Sequence, residues 1–184
     1  MAKDDNQLMK QVRDNDDREA FEELVLRYRD SAVKFILRYI KDYYIAEDLA
    51  QEAFAKIYIN RDYFKSNGNF KAYLFQTLRN LSIDYHRKVS KVTEQKLIDN
   101  LIDEVDSPEE IALKNEKSGI IHNLLKSLNE QYKTVLYLQQ YEGMSYKEIA
   151  QSMGLSLGQV RMLIYRSKKK LKNIIETELG GELW

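Results

Sequence analysis

The chain has 184 residues, 29 Lys/Arg balanced by 29 Asp/Glu, one Pro, seven Gly and no Cys. Without Cys, neither a disulfide framework nor a thiolate metal site exists, and the length suits one domain or two small ones. No apolar run approaches the ~18 residues of a membrane span, and the opening MAKDDNQLMKQVRDNDD is too polar for a signal peptide, so a cytoplasmic, unprocessed protein is expected.

With so few breakers, long helices are the default, and the expected fold class is all-α. Residues 1–17 read as a polar N-terminal tail. A first helical block spans 18–88. Phe21, Leu24, Val25 and Tyr28 fall at i, i+3, i+4, i+7 and mark an amphipathic helix. Val33, Ile36 and Ile40 mark a second. Ala46, Leu49, Ala50, Ala53 and Ile57 mark a third, and Phe70, Leu74, Leu78, Leu81 and Tyr85 a fourth. Between the last two, Ser66-Asn67-Gly68-Asn69 has loop chemistry.

Residues 89–107 lack a sustained period and read as a flexible acidic linker. Residues 91–117 carry 4 basic and 8 acidic groups. Ser107-Pro108-Glu109-Glu110 then has the order of a helix start: a capping Ser, Pro at the first helical position, acids in the first turn. A second block spans 108–175. Ile120, Ile121, Leu124, Leu125 and Leu128 line one helix. Asn129 caps the next, which carries Tyr132, Val135, Leu136 and Tyr141 and ends at Gly143. Ser145 and Glu148 form a capping-box pair, Gly154 supplies a turn, and Ser156 caps the last helix. Residues 176–184 read as a C-terminal tail.

The stretch from Ser145 to Leu171 has helix-turn-helix spacing. Ala150 is small where two helices cross, Gly154 turns the chain, and Val160 packs the second helix back onto the first. An ordinary helical hairpin needs no basic second helix, yet Arg161 to Lys172 holds six basic residues and no acid. At about 100° per residue, Val160, Ile164, Ser167 and Leu171 share the buried face. Gln159, Met162, Arg166 and Lys169 lie on the other side, flanked by Tyr165 and Arg161. Met162 therefore either covers a neighbouring helix or is presented to DNA, where its thioether suits a thymine methyl.

Two further faces ask for partners. Asp48, Gln51 and Glu52 form a polar stripe opposite the Leu49, Ala53, Ile57 seam, with like charges at i, i+4. A solvated face is the plain reading of such a pair. On the fourth helix, Gln76, Arg79, Asn80, Ile83 and Arg87 lie opposite the core face. Tyr63 to Lys88 carries five basic residues and one acid among six aromatics, Tyr63, Phe64, Phe70, Tyr73, Phe75 and Tyr85. Most of these rings must be core, but rings beside cations also suit single-stranded nucleic acid.

In this order, the motifs make the chain similar to the extracytoplasmic-function (ECF) sigma factors of the sigma-70 superfamily. DLAQEAF resembles the family's region-two signature at Asp48, Gln51, Glu52 and Phe54. NFKAYLFQTLRNLSIDYHRK resembles its following helix at Phe70, Tyr73, Leu74, Arg79, Asn80, Asp84 and Arg87. GMSYKEIAQSMGLSLGQV resembles its region-four helix-turn-helix. The resemblance implies two small helical domains joined by the acidic linker, the second containing the helix-turn-helix. It implies that Asp48, Gln51, Glu52 and Phe54 bind core RNA polymerase. It implies that the loop and helix at 62–88 read and melt the minus-ten element, holding a flipped base with Asn67, Asn69, Lys71, Gln76, Arg79, Asn80, Ile83, Arg87 and Lys88. Ser145, Tyr146, Lys147, Ser156, Gln159, Arg161, Met162, Tyr165, Arg166 and Lys169 are then the minus-35 readers. The linker would follow the polymerase channel meant for RNA or template, and an anti-sigma factor, often membrane-bound in the family, is an implied partner.

One departure stands out. Where the family has Thr-Val-Lys-Ser-Arg-Leu, this chain has Gln159-Val160-Arg161-Met162-Leu163-Ile164. A hydroxyl and a basic residue are lost, so an unusual minus-35 read is expected. The alternative function is a stand-alone helix-turn-helix activator, but the first block offers no sensor or phosphoacceptor pattern. An enzyme is not expected: the two His, His86 and His122, stand among charged neighbours, and there is no Gly-rich phosphate loop. No cofactor, metal or small-molecule substrate is expected.

Overall fold

A computed structural model describes residues 4–65, 67–96 and 128–179. The remainder of the linker, the Ser107-Pro108 helix start and the helix expected through Ile120–Leu125 lie outside the described residues. All regular structure among the described residues is helical, in the order α1 (Asp5–Asn15), α2 (Arg18–Leu37), α3 (Tyr43–Ile59), a 3₁₀ turn (Arg61–Tyr63) and α4 (Phe70–Lys96), then α5 (Glu130–Gln140), α6 (Tyr146–Met153) and α7 (Leu157–Leu179). None of these helices is long and apolar enough to cross a membrane. The chain divides into two compact units, residues 1–104 and 105–184.

In the first unit, an acidic or amide side chain starts each helix. Asp4 accepts from the Asn6 N–H at 3.2 Å, Asp17 from Ala20 at 3.0 Å, Asp42 from Ile45 at 3.1 Å and Asn69 from Ala72 at 2.7 Å. Each satisfies an N–H that the helix itself leaves open, worth about 1 kcal/mol. Leu24, Phe35, Ile36, Ile57, Phe70, Leu74, Phe75 and Leu78 form the core. Phe35 meets Phe75 edge to face at 5.1 Å. Fully burying a side chain of this size stabilises by ~1.5–3 kcal/mol.

Four expectations are corrected here. Residues 1–17 are not a tail: Leu8, Met9 and Val12 of α1 are completely buried. Their stripe is only three residues wide among polar neighbours, so local composition concealed it. The two helices expected around Phe21 and Val33 are one helix, because no Gly or Pro separates Tyr28 from Val33. The fourth helix runs to Lys96, eight residues into the expected linker, again with no breaker. The last helix likewise runs to Leu179, into the expected C-terminal tail.

The second unit packs α5, α6 and α7 around Val135, Leu138, Met144, Ile149, Val160 and Ile164. Asn129 caps α5, accepting from Tyr132 N–H at 2.9 Å. Tyr141 does not join the core: it is 81% exposed and stacks on Tyr137 at 5.3 Å. The capping box at the start of α6 is present, with Glu148 accepting from the Ser145 N–H at 2.6 Å and Ser145 Oγ from the Glu148 N–H at 3.3 Å. Gly154 ends α6 at φ 66°, the left-handed region that a side chain disfavours. Leu155 N–H then donates back to the Ala150 carbonyl at 2.9 Å, closing the turn.

Candidate polymerase and nucleic-acid interfaces

On α3, the short apolar spacing of Ala46, Ala50 and Ala53 seats the helix closely against its neighbours. That leaves Asp48, Gln51 and Glu52 exposed together on the outer face. Glu52 is not an uncompensated charge, since Lys56 lies 2.7 Å away one turn on. Phe54 turns inward from the Asp48 and Glu52 stripe and lines a groove beside Gln51. It is 6% exposed, and its ring meets Phe21 edge to face at 6.5 Å. An aromatic on the inner side of an amphipathic helix is set by period, and a motif match does not reveal that. Between α2 and α3 lies an open groove of about 190 Å³, lined by Val25, Arg29, Val33, Glu47, Ala50, Gln51 and Phe54. Sequence reasoning missed it, because a groove requires knowing which helices pair.

The second surface is the outer face of α4 and the turn before it. Gln76, Arg79, Asn80, Ile83 and Arg87 fall within about 100° of arc on one side of the helix; none is buried, and Asn80 and Arg87 are exposed. Arg87 is 3.8 Å from Asp84, a weak surface pair. Lys71 and Lys88 lie off this stripe. The Lys71 ammonium sits 5.8 Å from the centre of the Tyr28 ring, on the side of α4 that faces α2. Asn69 is committed to capping α4. Asn67 is exposed. Of the six aromatics counted around the loop, Phe64, Phe70 and Phe75 are buried, Tyr73 and Tyr85 are partly covered, and Tyr63 is 83% exposed. Burial raises the Tyr73 phenol above its usual 10.0. His86, on the same helix, has a ring nitrogen 2.6 Å from the Tyr39 carbonyl and ties α4 to the end of α2.

The third surface is the helix-turn-helix. Val160, Ile164 and Ser167 are buried and Leu171 is partly covered, the seam expected from period. Arg161, Met162, Tyr165, Arg166 and Lys169 are exposed. Met162 is 49% exposed, which favours its presentation to a partner over a covering role. Lys168, Lys170 and Lys172 of the same basic run are exposed as well, beyond the residues expected from the sequence. Lys172 lies 3.5 Å from Glu176. Ser156 and Gln159 are tied to each other. Gln159 Oε1 accepts the Ser156 N–H at 2.8 Å, and Ser156 Oγ accepts the Gln159 N–H at 3.2 Å. Gln159 is thus a helix-capping amide. At the start of α6, Ser145 is the cap, Lys147 is exposed, and Gln139 donates to the Tyr146 hydroxyl at 3.5 Å.

Comparison with known proteins agrees with this division. The family description "Sigma-70 region 2" matches residues 24–92, and "Sigma-70, region 4" matches residues 118–171. The RNA polymerase sigma-H factor of Pseudomonas aeruginosa is 31% identical over 182 residues, 94% of each chain. The ECF RNA polymerase sigma factor SigW of Bacillus subtilis is 29% identical over 174 residues, 89% of this chain and 92% of that protein. Two solved structures share the fold at 21% identity. CnrH, in complex with the cytosolic domain of CnrY, has a TM-score of 0.70, over 95% of this chain and 98% of that one. RpoE of Bartonella quintana, in complex with the anti-sigma factor NepR, has a TM-score of 0.67, over 86% and 98%. With helical units, motif order and relatives in agreement, the chain belongs to the extracytoplasmic-function group of the sigma-70 family, the RNA polymerase sigma factors that direct promoter-specific initiation.

Proposed function

We propose that the two units divide the work of initiation, with the region-two unit holding core polymerase and reading the minus-ten element while the region-four unit reads minus-35. The observation that carries this reading is the separation of charge. One unit exposes the Asp48, Gln51 and Glu52 face on α3, and the other exposes a basic face on α7. A carboxylate and amide face suits a basic partner helix of the polymerase, and the groove beside Gln51 gives that helix an apolar seat. The α4 stripe and Asn67 supply amide and guanidinium groups for an unpaired strand, and exposed Tyr63 offers a stacking ring. On α7, Arg161, Arg166 and Lys169 reach phosphates, while Met162 and Tyr165 offer contact to base edges.

The protein acts by binding, without a catalytic step of its own, and in the cytoplasm, where polymerase and promoter DNA are. The solved relatives were captured with CnrY and with the anti-sigma factor NepR, so an anti-sigma partner is proposed here as well. Run-off transcription with core polymerase, with and without the protein, tests the assignment. Promoter-dependent transcripts are expected only when the protein is present. Failure to bind core would sink the reading.

A further inference from the structure

Helix α1 precedes the residues matched by either family description. Burial of Leu8, Met9 and Val12 accounts for its packing. It does not account for where its polar side chains point. Arg13 donates through one terminal nitrogen to the Phe64 carbonyl at 2.8 Å. Asn6 Oδ1 accepts the Phe70 N–H at 2.7 Å. These are main-chain groups at the two ends of the turn that presents Asn67. Just past α1, Asp16 accepts from the Tyr58 hydroxyl at 2.7 Å and pairs with Arg61 at 3.0 Å, fixing the chain as it enters that turn.

The anchors are themselves held. The Arg13 guanidinium is gripped by Asp14 through two bonds of 2.6 and 3.1 Å, and its side chain is only 18% exposed. Asn6 sits in the first turn of α1, whose cap Asp4 takes its N–H. Between the anchors the turn has its own bond, Gly68 N–H to the Lys65 carbonyl at 2.8 Å. A side chain at Gly68 would lie 2.8 Å from that same carbonyl oxygen, so the turn is closed tightly. Both ends of the turn that carries Asn67 are thus pinned by α1.

We propose that Asn6 and Arg13 are positioning residues for minus-ten recognition: α1 clamps both ends of the turn from Phe64 to Phe70 and so fixes the geometry in which Asn67 meets the unpaired strand. This rests on the assignment of that turn as a minus-ten reader. The clamp works through another residue's contacts, so its loss blunts discrimination between bases more than it weakens binding to polymerase. Nothing in it touches the exposed face of α3.

The test uses the full chain with core polymerase. Run-off yield is measured from the cognate promoter and from one with a substituted minus-ten base, alongside core affinity and melting temperature. Asn6→Ala and Arg13→Ala are expected to bind core normally and to lower the cognate-to-substituted ratio by about tenfold, the size of losing one hydrogen bond to a charged or buried group. Asn6→Asp keeps the acceptor and should keep the wild-type ratio, which separates positioning from general loosening. Asn67→Ala serves as the control on the underlying reading. If Asn67→Ala lowers the ratio and both α1 variants leave it unchanged, whatever their melting temperature, the clamp is refuted and the reader stands. A lost ratio in Asn6→Asp also refutes the clamp. If Asn67→Ala leaves the ratio unchanged, the turn is not the reader and both proposals fall.

Discussion

At Gln159 stability and DNA reading should move in opposite directions. Its amide oxygen caps α7 by accepting the Ser156 N–H at 2.8 Å, and the side chain is exposed. Gln159→Glu keeps that acceptor and places a negative charge in the first turn, where the helix dipole favours it by about 0.3–1 kcal/mol, toward the low end for an exposed group. For a unit of this size ~0.5 kcal/mol raises the melting temperature by about 2–4 °C. Gln159→Ala removes the acceptor and should lower it, by roughly 4–8 °C for a loss of ~1 kcal/mol. On the promoter the order reverses. Under the proposed minus-35 role, the Glu charge stands among the α7 cations and against phosphate, and should reduce the salt slope of DNA binding by about one. Thermal melts and run-off at two salt concentrations read both effects. A lowered melting temperature for Gln159→Glu would show that the cap is not formed. A raised one with unchanged promoter use would show that this turn does not face DNA.

Four other outcomes are expected. Asp48→Ala combined with Glu52→Ala should abolish core binding in a pull-down with far-UV circular dichroism unchanged; normal binding would remove α3 from the interface. Phe54→Ala should destabilise the chain by about 3–5 kcal/mol in urea unfolding, as for a buried aromatic; an unchanged midpoint would return Phe54 to the surface. Met162→Ala should leave stability within about 0.5 kcal/mol while altering base preference in a minus-35 promoter library, and a large fall in melting temperature would mean the side chain is core. Gly154→Ala should cost about 1–2 kcal/mol through its left-handed backbone alone, because a β-carbon there meets nothing within 4 Å; a larger loss in the melt would point to packing instead.

What the sequence disclosed, and what it hid, follows from the range of the forces involved. Capping is local, so Asn129, Ser145 with Glu148, Gly154 and Ser156 were all readable from neighbours in the chain. The α7 seam was readable because 23 residues of helix display their period clearly. Helix ends were read short at Lys88 and near Ile175, where no breaker marked the stop and the apolar period simply faded. The burial of Phe54 was not legible, because a motif match says that a residue belongs to a pattern and not which way it points. Helix α1 was missed for a third reason. Its fit depends on Arg27 and Tyr28 reaching Asp5 and on Phe70 reaching Asn6, contacts 22 to 64 residues apart in sequence. No local window contains them.

The even balance of 29 basic and 29 acidic residues becomes a functional property once the surfaces are separated. Non-specific DNA affinity follows the number of phosphates a protein neutralises. A polybasic chain would spend its time on bulk DNA. Here the cations gather on α7 and along α4, while α3 presents carboxylates that DNA repels. As proposed readers, each face alone would then bind DNA weakly. Under the proposed assignment, polymerase engages the carboxylate face and brings both readers to one promoter, so the second contact becomes intramolecular at an effective concentration of order millimolar. Two weak reads then multiply into one selective one. On that assignment the neutral balance would keep free protein off DNA, and the separation of charge would make binding to polymerase the step that turns promoter reading on.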